Sequence, residues 1–471
     1  MKTQPHIGLL PLYLKLYDKT APDRRQKFEP FLATIRQAFE RCGIAVTAGA
    51  ICCVEPEFRH EIAQFERAGV DLIVGVHLAY SPSLESAGVL GDTAIPLLLL
   101  DTTMDYDFGL AVDPTRISFD HGIHGVQDLA SVLRRNKRPF QIVAGHVTES
   151  DVMKKAAAVA RAAYAARRLR QTRAMRIGES FRGMGDFAVD PIVLHSVFGI
   201  EVDTVGIDDL SNEIGRVTQN EVAEEIRLDR ERFHVEAKEE THERTIRVSL
   251  GLRRLLEQGS RGSLARAGYS AFSMNFLAFD HADRPADTVP FLEASKAMAR
   301  GLGYGGEGDV LSACLVGALS AAFGETTFTE IFCPDWKGDS LFLSHMGEVN
   351  PTIAADTPRL IELDFPYTDA RNPAILVCAF KPGAATLVNM APGPDDSFGL
   401  IASEVEVLGD AMHPGMRDSI RAWIRTSCPL GTFLEQYSRL GGTHHSALVY
   451  GRQSEAIKAF ASFAGMLVTI I

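Results

Sequence analysis

Along the first 150 residues, short apolar runs alternate with stretches whose apolar positions recur at helical spacing. The runs cover 6–14, 70–76, 94–101 and 139–145. Between the first two, Phe28, Phe31, Leu32, Ile35 and Phe39 lie on one face of a helix over 24–42, and Gly43 offers a stop. Alternating strand and helix periods predict a parallel sheet with helices on both faces. An Ala- and Arg-rich stretch, 151–172, predicts a long helix, after which strand-like runs at 175–178 and 202–207 and a charged, mostly helical span over 220–252 open a second α/β section. From about Asp339 the texture changes. Apolar runs at 341–345, 359–363, 374–380, 385–390 and 398–407 are broken by Pro, Gly and Asp, the spacing of an antiparallel sheet or barrel, and a helix at about 455–464 is expected to close the chain. The expected fold is α/β: two doubly wound domains over 1–172 and 173–335, then a β-rich C-terminal domain over 336–471.

Composition narrows the function classes. With 471 residues, 46% hydrophobic and 23% charged, the chain is long and apolar enough for several cores. The net charge is −12, and the basic runs Arg134-Arg135 and Arg167-Arg168-Leu169-Arg170 sit in helix-like contexts, so no concentrated positive patch for nucleic acid is expected. The seven cysteines are odd in number, scattered and without C-x-x-C spacing, which argues against a disulfide framework or structural zinc and fits a reducing cytoplasm. No stretch reaches the roughly 18 apolar residues of a membrane span, and the N-terminus lacks a signal-peptide pattern. The chain is expected to stay in the cytoplasm, with nucleic acid and membrane excluded as partners.

Gly301-Leu302-Gly303-Tyr304-Gly305-Gly306 fits the G-x-G-x-x-G pattern of dinucleotide sites, which requires a strand before it and a helix after. Helix-like stretches both precede it, at 291–300, and follow it, at 310–323, so the glycines are read as a tight turn between two helices.

Four stretches carry side chains suited to chemistry. In Gly306-Glu307-Gly308-Asp309 an acid sits between glycines just before a helix, where it either caps the helix or meets a ligand. Glu330 lies among apolar and β-branched residues, where its charge is costly unless it pairs or binds a cation; otherwise it is a surface acid at a strand end. His345 ends an apolar run, as a ligand or as a core histidine. Gly441-Gly442-Thr443-His444-His445 sets two histidines after a glycine turn, and adjacent side chains point apart on an extended chain, so at most one is expected to bind a metal. Two acids with one or two histidines make an oxygen-and-imidazole set suited to Mn²⁺, Co²⁺ or Fe²⁺, with positions open for a chelating substrate.

With these stretches in this order, the sequence resembles the L-arabinose isomerase and L-fucose isomerase superfamily, most of all its L-arabinose isomerase branch. The likeness runs through most of the chain and is strongest in 303–309, Thr327-Phe328-Thr329-Glu330, Ser344-His345-Met346-Gly347-Glu348 with Pro351-Thr352-Ile353-Ala354, and 441–445. It implies that Glu307, Glu330, His345 and His445 hold a divalent metal, Mn²⁺ or a similar ion, and that the two glutamates double as acid and base. It further implies a homo-oligomer, a trimer or hexamer, with sites near subunit interfaces. His124, in Ile123-His124-Gly125, resembles a family histidine that reaches into a neighbouring subunit's site, and it and His444 are assigned to the substrate. The implied reaction is aldose–ketose isomerisation of a pentose, hexose or deoxy sugar through a cis-enediolate. A non-catalytic sugar-binding protein on the same fold, or a metal-dependent epimerase or lyase acting on a sugar or sugar acid, stays open. Two stretches depart from the family, 9–17 and Ile331-Phe332-Cys333, so the implied chemistry is intact within an altered pocket.

Overall fold

A computed structural model describes residues 4–258, 268–411 and 413–471. The chain forms two compact units, one from the residues up to Arg167 with Lys458–Phe463, the other from Arg168–Ile457 with Ala464–Ile471.

In the first unit, β1 (His6–Leu12), β2 (Ala45–Ala48), β3 (Leu72–His77), β4 (Leu97–Asp101) and β5 (Gln141–Ala144) form a parallel sheet in the order β2-β1-β3-β4-β5. Every residue of β3 is buried, as are Leu97 to Leu100 of β4, which is why these strands read as unbroken apolar runs. Strand β2 shows no such run. Its Ala-Val-Thr-Ala lies at the sheet edge with no residue fully buried, so it has no hydrophobic signature to find.

In the second unit, β6 (Arg173–Ile177), β7 (Glu201–Val205), β9 (Ala271–Met274) and β10 (Gly303–Gly306) form another parallel sheet, ordered β10-β9-β6-β7. The charged span, which lies between β7 and β9, is two helices, Gln219–Arg232 and Glu239–Gln258, separated by the short β8 (His234–Val235). That strand pairs with β13 (Arg359–Glu362), which in turn pairs with β14 (Ala374–Val377).

The remaining strands build a barrel. They are β11 (Thr326–Asp335), β12 (Ser340–Ser344), β15 (Gly383–Pro392), β16 (Phe398–Val407), β17 (Ala422–Thr426) and β18 (His445–Tyr450). Their antiparallel order is β15-β18-β11-β12-β17-β16, and β16 pairs back onto β15 over its whole length, closing the barrel. The β-rich texture therefore begins with β11, ahead of Asp339. The chain does not end on the expected helix: after Ser454–Ala464 it adds β19 (Leu467–Ile470), parallel to β16.

The reading of the glycine run is overturned. Residues 303–306 are not a turn between helices but strand β10, and the turn is made just before it, at Gly301 (φ 92°). The strand packs so tightly on the helix Val310–Phe323 that a Cβ on Gly303 would lie 2.0 Å from the Ala313 carbonyl oxygen, and one on Gly305 2.2 Å from that of Asp309. Glycine here answers a close approach of two backbones, and its local signature is the same as that of a turn.

The helix Phe291–Ala299 is tied to the charged pair of helices by buried ions. Lys296 Nζ lies 2.8 Å from Glu225 and 2.5 Å from Asp229, and Arg253 bonds both Glu225 and Glu293. Burial pushes the Glu225 carboxyl up, but Arg253 and Lys296 outweigh it and hold it well below the usual carboxylate range. Removing the ammonium leaves two buried carboxylates short of a counter-charge. Lys296→Ala is expected to cost about 3 kcal/mol or more of unfolding free energy, measured by denaturant titration.

Candidate active site

Strand β10 ends at Gly306, and Glu307 follows in the left-handed region at φ 58°, where a residue with a side chain is strained by about 1–3 kcal/mol. The loop after β6 holds it there. The Phe181 N–H donates to the Glu307 carbonyl at 2.9 Å, and Gly308 sits so close that a Cβ would lie 2.6 Å from Ser180 Cα. Asp309 caps the next helix, accepting from the Ser312 N–H at 2.8 Å. Of the two acids that could serve as a cap, Asp309 does so, and Glu307 turns elsewhere.

What it turns toward is set by the barrel. On β11, Glu330 pairs with His445 of β18 on one side and with Ser344 of β12 on the other, and His345 follows Ser344. Facing residues on paired strands stand about 4.5–5.5 Å apart, so register brings Glu330 and His445 together, and His345, one residue beyond the Ser344 pairing, turns to them from the end of β12. His345 Nε2 lies 3.9 Å from Glu330, and His445 Nε2 lies 3.6 Å from Glu307. Ligand-capable atoms of Glu330, His345 and His445 all lie within 4.8 Å of one another, and so do those of Glu307, His444 and His445. Gly306 completes the fit: a Cβ there would come within 2.8 Å of His345 Cε1.

Both imidazoles are steered from behind. His345 Nδ1 bonds Glu348 at 2.6 Å, and Glu348 also accepts from the fully buried Tyr304 hydroxyl. His445 Nδ1 bonds Asp309 Oδ2 at 3.0 Å. In each ring Nε2 is thereby turned to the glutamates. His445 Nε2 is fully buried with no hydrogen-bond partner among the described residues, an arrangement that costs about 1–3 kcal/mol unless something binds there. An imidazole with its outer nitrogen on a carboxylate and its inner one unpaired is the arrangement of metal-ligating histidines. With two carboxylates facing it, the donor set fits a divalent cation. Phe328 packs edge-on against both rings, at 4.7 and 4.9 Å.

The environments separate the two glutamates. Burial pushes Glu307 up, but His444, His345 and His445 outweigh it and hold the carboxyl below its usual range. For Glu330 burial wins over the same histidines, and the carboxyl is raised. Burial lowers His345, yet Glu348 and the glutamates raise it overall.

Glu307, Glu330, His345, His444 and His445 are thus one cluster within the second unit. The two adjacent histidines do not point apart as an extended chain would have them. Residue 444 precedes β18, and the two rings lie 4.3 Å apart with both Nε2 atoms toward Glu307, His444 at 3.9 Å. His124 belongs to the first unit, exposed near the start of the helix Ile123–Arg135 with its ring 5.8 Å from that of His121. Asp309 is readable in the sequence only as a cap, and Glu348 only as part of a motif. Tyr304 sits inside the glycine run, and Asp186, which bonds His444 at 2.6 Å, carries no sequence signal.

Two family models match the chain, the L-arabinose isomerase central domain over residues 173–323 and the L-arabinose isomerase C-terminal domain over 325–467. Similar proteins include the L-arabinose isomerase of a Nocardioides species, 28% identical over 416 residues that make up 85% of this chain and 80% of that protein. The L-arabinose isomerase of Bacillus subtilis is 26% identical over 424 residues, 87% of this chain and 82% of its own. The matched segments contain the whole cluster, and the chain belongs to the L-arabinose isomerase family, as a sugar isomerase that interconverts an aldose and a ketose.

Proposed function

We propose that the chain is a divalent-metal-dependent isomerase of a pentose, hexose or deoxy sugar, with Glu307, Glu330, His345 and His445 as the metal ligands. The observation that carries this reading is the buried Nε2 of His445, without a hydrogen-bond partner among the described residues and turned to two carboxylates by the bond its ring makes to Asp309. These four residues would hold a divalent cation, Mn²⁺ or the similar Co²⁺ or Fe²⁺, which would supply positive charge beside the sugar carbonyl in a reaction that passes through a cis-enediolate.

The chain's own residues do the rest. Isomerisation moves one proton between C1 and C2 of the sugar and another between the oxygens on those carbons. Glu307 comes from the strained turn after β10 and Glu330 from β11, so they approach a bound sugar from different elements. One takes the carbon-bound proton and returns it to the neighbouring carbon, and the other serves the oxygens. His444 stands beside Glu307 to bond a sugar oxygen. Phe328 and the buried Phe187 line the histidines and keep water from the exchanging proton.

The assembly that goes with this reading is a homo-oligomer, a trimer or hexamer, in which His124 completes a neighbouring subunit's site. Its support is the exposure of His124 and of Tyr106, Phe108, Leu110 and Ile117 in the first unit. The substrate itself is found by assaying ketose formation over a panel of pentoses, hexoses and deoxy sugars.

With that substrate, chelator treatment is expected to abolish turnover and added Mn²⁺ or Co²⁺ to restore it; full activity in metal-free protein would sink the mechanism. Glu307→Gln and Glu330→Gln keep the shape but lose a charge and a proton carrier. Each is expected to lower kcat by about 100-fold or more in steady-state assays, and near-normal turnover removes that residue from the chemistry. The histidines divide. His445→Ala is expected to weaken Mn²⁺ binding about 10-fold or more in titration calorimetry, while His444→Ala leaves it nearly unchanged. Equal losses would put both rings on the ion.

A further inference from the structure

The loop between β6 and the helix Pro191–Phe198 contributes a carboxylate that the isomerase chemistry above does not use. Asp186 Oδ2 accepts twice from a single residue, from the His444 backbone N–H at 3.1 Å and from its ring Nδ1 at 2.6 Å, 258 positions away in sequence. One oxygen thus fixes both the chain path at residue 444 and the rotation of its ring. The neighbouring Phe187 lies flat against the His445 ring, at 4.9 Å and 16°, and leans on His444 at 5.5 Å.

Other groups brace this turn without holding the His444 ring. Asn389 accepts from the Thr443 N–H at 3.3 Å and donates to the His445 carbonyl at 2.7 Å, and the Tyr437 hydroxyl donates to the Thr443 carbonyl at 2.6 Å. These bonds seat the backbone on either side of residue 444. Among the described residues it is Asp186 that bonds Nδ1 of the His444 ring, leaving Nε2 directed at Glu307, 3.9 Å away.

We propose that Asp186 is a positioning residue: by gripping His444 at both its backbone and its Nδ1, it aims Nε2 into the space beside Glu307 to bond an oxygen of the bound sugar. The loop after β6 then takes part in substrate orientation, although it supplies no metal ligand. This rests on the isomerase reading. A sugar whose oxygen is not met by His444 binds in a poorer pose for proton transfer, so the loss falls on kcat and on KM while the metal stays bound.

The test is a double-mutant cycle in the full-length chain, with Asp186→Ala, His444→Ala and the double variant assayed on the sugar found by the panel, Mn²⁺ titration of each, and proton NMR of the metal-free protein. Asp186→Ala is expected to lower kcat/KM about 10-fold or more yet to add less than about 2-fold on top of His444→Ala, because it acts through that ring. Mn²⁺ affinity of Asp186→Ala is expected within about 3-fold of the parent, and Asp186→Asn, whose amide oxygen accepts both bonds, to recover most of the activity. In the NMR spectrum, a downfield ring N–H signal is expected to vanish in Asp186→Ala and in His444→Ala alike. Should Asp186→Ala fail to fold, Asp186→Ser, too short to grip the ring, replaces it in the cycle. A loss that persists undiminished in the His444→Ala background, or wild-type kcat/KM in Asp186→Ala, overturns the proposal. If the parent turns over none of the sugars, the isomerase reading falls, and the NMR signal still decides whether Asp186 holds the ring.

Discussion

The pairing of β11 with both of its neighbours is the constraint on which the site depends. Glu330 faces His445 across one seam and Ser344 across the other, so a slip of one residue in either seam would send a side chain of the cluster to the opposite face. In an open sheet such a slip is resisted only by side-chain packing. Here β16 closes back onto β15 over its whole length, and a shift in one seam must be matched around the whole barrel. Buried side chains on both faces of the barrel strands, among them Phe328, Leu343, Leu387 and Leu448, add the hydrophobic cost of any shift.

Onto this fixed wall the parallel sheet of the same unit brings Glu307 by a different device. The strand β10 is almost all glycine, which lets it lie against the helix Val310–Phe323 and lets Gly306 meet the His345 ring. The strained backbone of Glu307 is the cost of presenting an acid at that point, and the Phe181 and Ser180 contacts of the loop after β6 hold it. The histidines are oriented by carboxylates that are themselves buried and engaged: Asp309 by its cap, Glu348 by Tyr304. Such buried polar chains are worthwhile only when each member is satisfied, and His445 Nε2, without a hydrogen-bond partner among the described residues, is where a ligand belongs.

Much of this was legible in the sequence, for physical reasons that can be named. Strands buried on both faces, such as β3, announce themselves as unbroken apolar runs, and the barrel strands do so through short runs punctuated by Pro, Gly and Asp. The members of the cluster were legible as acids and histidines in glycine-rich or apolar settings, and as a resemblance. What escaped was whatever depends on contacts distant in sequence. The glycines of β10 look like a turn because close backbone approach and tight turning demand the same residue. The terminal strand β19 hides behind a helix, and β2 behind its half-exposed edge position. Asp186 has nothing around it to mark it, since its partner lies in a different part of the chain.

The central claim is that one divalent ion sits among Glu307, Glu330, His345 and His445. It is tested most directly by anomalous diffraction at the manganese edge from crystals grown with Mn²⁺. The account predicts a single strong peak within bonding distance of a carboxylate oxygen of each glutamate and of Nε2 of each of the two histidines, with Asp309 and Glu348 still on the Nδ1 atoms. A peak elsewhere, or one bound without Glu307 or Glu330, would contradict it.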